Sequence, residues 1–377
     1  MNVSIHEVLT SKDLKKFIWF GINLYINDKY AIPKLFIDDK TNLSKKKNPA
    51  FEFCDTKIFL AYKDGKIVGR IMGIINPVAN EIWQSKYARF GWIEFINDYD
   101  VSKALLDAVT KWAKSKGMEY LQGPMGFTDF DPEGMLVEGF DKPGTLVGLY
   151  NFPYYPEHLE KYGFIKEIDW KEYYITIPEA VPGKFLQAAN IARERYKLSY
   201  AKPKDLKDLS QRYGYKLFDL INVCYKDLYQ YSELNKKQIN FYIKLYLSFL
   251  RLDTICLIVD ENDQLISFGI TIPNLTKALQ KAKGRLFPFG WFYLLHALRK
   301  NDVIDFCLIA VHPDYQNKGV SAMLFADLIP KYNKNGFRHA ESNPELETNI
   351  KVSSQWKSFE HYSHKRRRVF IKKLSSD

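Results

Sequence analysis

In the stretch AVHPDYQNKGVSAMLFADLI (310–329) one glycine separates a strand-like run from a helix-like run. IDFCLIAV (304–311) is continuously apolar, as a strand buried on both faces should be. Apolar residues then recur at 320, 323, 324 and 328, the spacing of one helix face. Between them Gly319 has no side chain, so an oxygen-rich ligand could approach the main chain. The first-turn N–H groups of the helix have no intrahelical partner and carry the positive end of its dipole. Lys318 adds a charge, and together these suit a diphosphate. The text is neither GxxxxGK[ST] nor GxGxxG, which excludes the usual nucleotide-hydrolysis and dinucleotide signatures. An ordinary strand-to-helix turn is the plain alternative.

The run V-x-P-x-x-Q-x-x-G-x-S resembles the acyl-CoA signature of the GNAT acyltransferase superfamily, Q/R-x-x-G-x-G/A after a strand ending in V-x-P. Gln316, Asn317, Lys318, Gly319, Val320 and Ser321 occupy it, Ser321 standing where Gly or Ala is usual. The resemblance implies acetyl-CoA or a longer acyl-CoA as cosubstrate, and no metal. It implies that the main chain of Ile309, Ala310 and Val311 pairs with pantetheine and serves the oxyanion, while 316–321 holds the pyrophosphate. It places Asn349 at the start of a further helix. Seven residues on, Trp356 stands where a tyrosine often protonates the departing thiolate.

Acyl transfer to an amine needs a held thioester, a donor to its carbonyl oxygen and a base for the amine proton. Asp305 on the fourth strand and Glu341 on the fifth are the candidate bases; a solvated charge is the alternative for each. Glu347, two residues before Asn349, could order that helix start, and His312 and His339 lie near the ends of these strands, where a lone histidine is more often a surface or packing residue. Seven scattered histidines show no metal-ligand spacing. On this reading Gly319→Glu abolishes CoA binding and leaves the fold intact.

What must position these residues is a repeated α/β unit. IFLAYKDGKIVGRIMGI (58–74) and ICLIVDENDQLISFGITI (255–272) are strand pairs around turn dipeptides. Each is followed by another strand and an amphipathic helix, 102–117 and 319–336. Val3–Leu9 reads as a strand and Thr10 with Asp13 as a capping-box start; Arg89–Ile96 is a further strand. The expected fold is α/β (α+β): two tandem GNAT-like domains, 1–178 and 179–377, each a mixed, mostly antiparallel sheet flanked by helices, with the boundary near TIPEAVPGKF (176–185). The first copy lacks the loop, since FINDYDVSKALL (95–106) has no Q-x-x-G, and HLEKYGF (158–164) carries Leu159 at a tyrosine place. That copy is expected to be a scaffold or substrate wall. The Gly-, Pro- and aromatic-rich run 123–164 reads as a long ordered loop and not a helix, either lining a substrate cleft or packing the halves together. Its text, GMLVEGFD with YNFPYYPEHLEKYGF and the later ELETN, is similar to a group of bacterial tandem-GNAT proteins, some linked to N-acylation of sphingoid bases.

The chain has 377 residues and a formal net charge of +11, which points to acidic partners. Its four cysteines, at 54, 224, 256 and 307, form no CxxC pair and read as reduced core thiols. MNVSIHEVLTSKD does not read as a signal peptide, so a cytoplasmic protein is expected, with peripheral contact on the inner membrane face left open. For that contact the extra segment KAKGRLFPFGWFYLLHALRK (281–300) is the candidate: Lys281, Lys283, Arg285, Arg299 and Lys300 frame an aromatic body without one acidic residue. A lid over an acyl chain, or a helix packed on its own domain, would fit the same text. HKRRRVFIKK (364–373) reads as a last strand with a charged solvent face. The reading is an acyl-CoA-dependent N-acyltransferase acting on an amine, with a long acyl chain and a sphingoid-base-like amine as the specific form. The alternatives are an aminoacyl-tRNA-dependent transferase of the peptidoglycan-ligase type and a non-catalytic acyl-CoA-binding protein. Nucleic acid is not an expected partner, because the Q-x-x-G loop is present and no RNA-binding motif is seen.

Overall fold

The computed structural model describes residues 2–246 and 250–375. The first half runs β1 (Ser4–Glu7), α1 (Ser11–Leu24), α2 (Phe36–Asn42), β2 (Asp55–Lys63), β3 (Lys66–Ile75), α3 (Pro77–Ile82), β4 (Tyr87–Phe95), α4 (Tyr99–Ser115), β5 (Tyr120–Gly123), β6 (Met135–Glu138), α5 (Tyr154–Tyr162) and β7 (Ile165–Thr176). The second repeats the order with additions: α6 (Gly183–Arg195), β8 (Ser199–Tyr200), α7 (Leu206–Tyr225), α8 (Lys236–Tyr246), β9 (Ile255–Val259), β10 (Leu265–Pro273), α9 (Thr276–Ala282), α10 (Gly290–Arg299), β11 (Val303–Val311), α11 (Val320–Lys334), β12 (His339–Glu341), β13 (Glu345–Leu346), α12 (Ile350–Ser353) and β14 (His361–Lys373).

Local chemistry accounts for the starts and turns. Thr10 accepts the N–H of Asp13 at the head of α1, the expected cap. Asp64 and Gly65 both take positive φ, 53° and 73°, and close β2 onto β3 with Lys63 opposite Lys66. That is the twist a two-residue hairpin needs. The run 123–164 is not all loop: it contains β6 and the helix α5, whose Tyr155 and Leu159 are buried. Gly163 in the left-handed conformation ends that helix, so the aromatic and Pro-rich text hid a short helical period.

The described strands form one sheet, ordered β1-β2-β3-β4-β5-β14-β7-β12-β11-β10-β9-β8. Neighbours are antiparallel apart from β4 with β5 and β11 with β12, which are parallel. Both parallel pairs are short and then part. The closing strands are exchanged between the halves. β7, from the first half, pairs with β12; β14, from the second, pairs with β5. β7 and β14 also run against each other along most of their length, from His361 with Ile175 to Ile371 with Ile165. β14 is therefore an interior strand with one buried face: Lys365 and Arg367 are both about 1% exposed, while Arg366 and Arg368 on the other face stay partly exposed.

The insertion forms α9 and α10. Its inner side packs Leu275, Ala278, Leu279, Ala282 and Leu294 on Ile32 and Leu35 of the first half. Gly284 accepts from the Phe36 N–H, and Arg285 lies over Trp19 at 4.9 Å from the ring centre. Its outer side is unpaired: Phe287 is 73% exposed, and Phe289, Trp291, Phe292 and Leu295 are exposed as well. No helix among the described residues is long and apolar enough to cross a membrane.

Candidate functional site

β11 pairs with β12 only from Val303 with His339 to Asp305 with Glu341. Beyond Asp305 the two strands are no longer paired, and the residues singled out in the sequence lie at or after this split. Ala310 faces the sheet, its carbonyl accepting from the Ser267 hydroxyl of β10. The Ile309 carbonyl accepts from the Tyr225 hydroxyl at 3.1 Å, and that of Val311 from Cys224 Sγ and Gln316 Nε2, each at 3.3 Å. Asn343 Nδ2 donates to the Cys307 carbonyl at 2.8 Å. Protein donors thus already dress this strand edge.

After a turn at Pro313–Tyr315 the chain reaches Asn317 and Gly319 in the left-handed region, with φ of 60° and 79°. Gly319 starts α11, and no side chain caps its first turn. Asn317 and Lys318 are exposed, Ser321 is half-buried and Val320 is buried. The Lys318 ammonium lies 5.1 Å from the Tyr196 ring centre and 5.7 Å from that of Tyr315. Gly319 has a packing reason that the sequence did not reveal. A Cβ there would sit 2.8 Å from the Ala188 carbonyl oxygen of α6, so even a methyl group is contested. The substitution to glutamate cannot leave this packing untouched.

The equivalent helix of the first half is different. Asp98 caps α4, accepts the Asp100 N–H and pairs with Lys63 at 2.6 Å. Its carboxyl is held below the usual range by the Lys63 bond, against a smaller effect of burial. The first half thus satisfies the positive end of this helix with its own carboxylate; the second half leaves it open.

Asp305 and Glu341 are brought side by side and buried, 3% and 6% exposed. Asp305 Oδ1 accepts from Asn274 Nδ2 at 2.8 Å, while Oδ2 has no hydrogen-bond partner. Burial pushes its carboxyl up to about 7, the Asn274 donor working against this and Glu341 adding to it. Glu341 lies 2.8 Å from His364 Nε2 and 3.2 Å from Lys365 Nζ. Lys365 is also 2.9 Å from Glu172, which Arg367 pairs as well. Burial alone would raise the Glu172 carboxyl, but Arg367 and Lys365 outweigh it and bring it down to about 2. Glu172, Glu341 and His364 offer ligand atoms within 4.8 Å of one another. The Lys365 ammonium already supplies the positive charge there. Sequence reading missed Glu172, His364, Lys365 and Arg367, because their meeting depends on the strand exchange and not on any spacing.

Asn349 caps the short helix α12. Trp356 is 3% exposed, donates from Nε1 to Glu345 at 2.7 Å and packs on Phe306, Phe325 and Phe359. It is a core residue and brings no hydroxyl to the split. Burial pushes the Glu345 carboxyl up to about 8, against that indole bond. Glu347 pairs with Lys166 at 2.7 Å. His339 stacks on Tyr174, and His312 accepts the Asp314 N–H beside the exposed turn.

The larger of two described cavities, about 80 Å³, lies in the first half, where β4 and β5 part. A second of about 30 Å³ adjoins it through shared walls at Lys34, Asp39, Arg70, Glu94, Leu149 and Tyr150. Neither is lined by residues 305–321.

No family model matches the chain. It is 26% identical over 377 residues to Protein YghO of Escherichia coli (strain K12), covering 98% of this chain and 95% of that one. It is 27% identical over 310 residues to a protein named bacterial ceramide synthase from Caulobacter vibrioides (strain NA1000 / CB15N), covering 80% and 78%. Among solved structures it superposes on a tandem GNAT protein from the clavulanic acid biosynthesis pathway with a TM-score of 0.57 at 11% identity, all of both chains being covered. A GCN5-related glucosamine N-acetyltransferase region of a fungal multi-domain β-N-acetylglucosaminidase gives 0.58 at 12% identity, over 98% of this chain and 38% of that one.

Proposed function

From the premise that this chain has the tandem GNAT fold, we propose that it transfers an acyl group from an acyl-CoA thioester to an amine, with the cofactor in the second half. The observation that carries this is the contrast between the two helices that follow the parallel strands. α4 is closed by Asp98, and α11 begins uncapped, beside the exposed Lys318. An uncapped helix start next to a cation favours diphosphate. Residues 316–321 take that group, and the β11 edge from Cys307 to Val311 takes the pantetheine. Tyr225 and Gln316 must then exchange their carbonyl bonds for bonds to the ligand.

Asp305 is the group best suited to take the amine proton. It has an unbonded oxygen, and with its carboxyl near 7 both protonation forms are populated at neutral pH. The amine nitrogen attacks the thioester carbon, the C–N bond forms and the C–S bond breaks. One proton passes to Asp305, directly or through a water. Trp356 supplies no proton to the leaving thiolate, so CoA must take one from solvent or from the acid just formed. The protein named bacterial ceramide synthase supports a long acyl chain and a sphingoid-base-like amine as the specific substrates. Domain limits at 1–178 and 179–377, with the first half a degenerate copy, complete this proposal.

The outer side of α9 and α10 is proposed as a peripheral contact with anionic membrane. The insertion combines these exposed aromatics with exposed Lys281, Lys283, Arg299 and Lys300, while Arg285 lies over Trp19. The test of the whole reading is free-thiol release from acyl-CoAs of several chain lengths with a panel of amines, sphingoid bases included. Amine-dependent release is expected. CoA binding without release for any amine would make the chain a binding protein, and salt-dependent tRNA retention would favour transfer from aminoacyl-tRNA.

A further inference from the structure

The junction between β10 and α9 stands beside the proposed base and has no role in the scheme so far. β10 ends against β11, Ile272 opposite Asp305 and Pro273 opposite Ile304. The next residue, Asn274, is engaged at each of its four polar groups. Its N–H donates to the Val303 carbonyl at 3.0 Å, and its own carbonyl accepts from Asn301 Nδ2 at 2.6 Å. Its Oδ1 accepts the Thr276 N–H at 3.1 Å, at the start of α9, and its Nδ2 donates to Asp305 Oδ1 at 2.8 Å. Asn301 closes the far end of the insertion on the same spot, its Oδ1 accepting the Val303 N–H at 3.1 Å. One carboxamide thus ties the first turn of α9 to Asp305, at the neck of the α9–α10 insertion.

Few side chains can do both jobs. The Thr276 N–H needs an acceptor and the Asp305 carboxylate needs a donor, and a short amide offers the two together. Aspartate at this place would keep the acceptor and set a second carboxyl against Asp305. The partners also fix which way the amide points, so Oδ1 of Asp305 is the oxygen that receives a donor. Oδ2 is buried without a hydrogen-bond partner and is the oxygen left to accept a proton. The other titratable and charged groups that act on Asp305 are Glu341 of β12, Glu172 of β7, Lys365 of β14 and the neighbouring Cys307 thiol. Burial pushes the Asp305 carboxyl up to about 7, with Glu341 and Glu172 adding to this and the Asn274 bond and Lys365 opposing it.

We propose that Asn274 is a positioning residue for the acyl transfer: it pins Oδ1 of Asp305, so that Oδ2 takes the amine proton, and it fastens the base to the α9–α10 insertion. The role in transfer rests on the proposed chemistry; the hold on Asp305 does not. As the C–N bond forms and the C–S bond breaks, the amine proton becomes the O–H of Oδ2. Oδ1 is then the carbonyl oxygen of a neutral acid and still accepts from Asn274, so the same bond serves before and after the proton moves.

The experiment compares the parent with Asn274→Asp and Asn274→Ala across pH, reading kcat/KM for amine-dependent thiol release. Stability in urea is followed across the same range for the parent, Asn274→Ala, Asp305→Asn and the double variant Asn274→Ala/Asp305→Asn. Asn274→Asp keeps an acceptor for Thr276, so a residue that merely caps α9 would leave its rate profile in place. The acid limb of kcat/KM should instead move up by about one pH unit or more in both variants, through loss of a hydrogen bond to a charged group and, in Asn274→Asp, a second carboxyl beside the first. In Asn274→Ala the stability held by protonated Asp305 should persist to a higher pH by a similar shift, and adding Asp305→Asn should abolish that shift. CoA affinity should stay within about twofold of the parent, which shows that the variants are folded. A rate profile unmoved in Asn274→Asp, a stability profile unmoved in Asn274→Ala, or a shift that survives Asp305→Asn overturns the proposal. If the parent releases no thiol with any amine while the stability profile shifts as stated, Asn274 does hold Asp305 and it is the acyl-transfer reading that falls.

Discussion

Gly319 and Asp305 illustrate what single residues can and cannot announce. The glycine was legible as a special position because Gly is the residue that accepts positive φ without penalty. That α6 presses against it was not legible, since the contact joins helices more than a hundred residues apart. Gly319→Ala should destabilise the chain by about 1–3 kcal/mol, from a left-handed non-glycine residue and a crowded Cβ together, as read by urea denaturation. Lys318→Ala is the cleaner probe: stability should stay within about 0.5 kcal/mol of the parent while CoA affinity falls severalfold. For Asp305 the folded carboxyl lies near 7 and the unfolded one near the ordinary carboxylate value. The folded state therefore holds the proton more tightly between roughly pH 4 and 7. Its contribution to stability is full below that window and is lost as pH rises through it, by up to about 1.4 kcal/mol per pH unit. Asp305→Asn should flatten this share of the stability profile. It should also lower kcat by about a hundredfold or more if Asp305 takes the amine proton.

Among the elements, those carried by strong local periodicity were readable. The 304–311 run is β11 and the 319–336 run is α11, each displaced by a residue or two at its ends. The helix α5 was missed because its nine residues include two prolines' worth of neighbouring text, Pro153 before it and Pro156 within its first turn, where proline is tolerated. The last strand was recognised, with Arg366 and Arg368 partly exposed on one face, but the burial of its other face was misjudged. A run of four consecutive cations, Lys365 to Arg368, reads as solvated, and only the exchange places Lys365 and Arg367 beside Glu172 in the interior. The α9–α10 insertion makes its own prediction. Vesicles containing anionic lipid should sediment with the parent protein and not with a Trp291→Ser/Phe292→Ser variant, and high salt should release it. Equal sedimentation with purely zwitterionic vesicles would remove the electrostatic part of this proposal. Both side chains are exposed, so unfolding is not the expected cause of any loss.

At the level of the whole molecule, duplication was legible and exchange was not. Repeated hairpins and helices betray two copies, but nothing in a strand's own sequence says which copy of the sheet it will finish. The two halves of the sheet are continuous through β7 and β14, and the buried ion network straddles both. The fragments 1–178 and 179–377 should therefore fail to fold when expressed singly and recover CoA-dependent thermal stabilisation when produced together. Separate folding of each fragment would argue against this interdependence.

The placement of β14 has a bearing on how the chain is made. Its 13 residues leave the ribosome after every other described element, yet they supply a middle strand to a half whose other parts were synthesised first. Until then β5 waits with a bare edge. A transcript with an early stop codon would yield a product lacking both its final strand and the completion of its opening half, and cellular quality control should clear it.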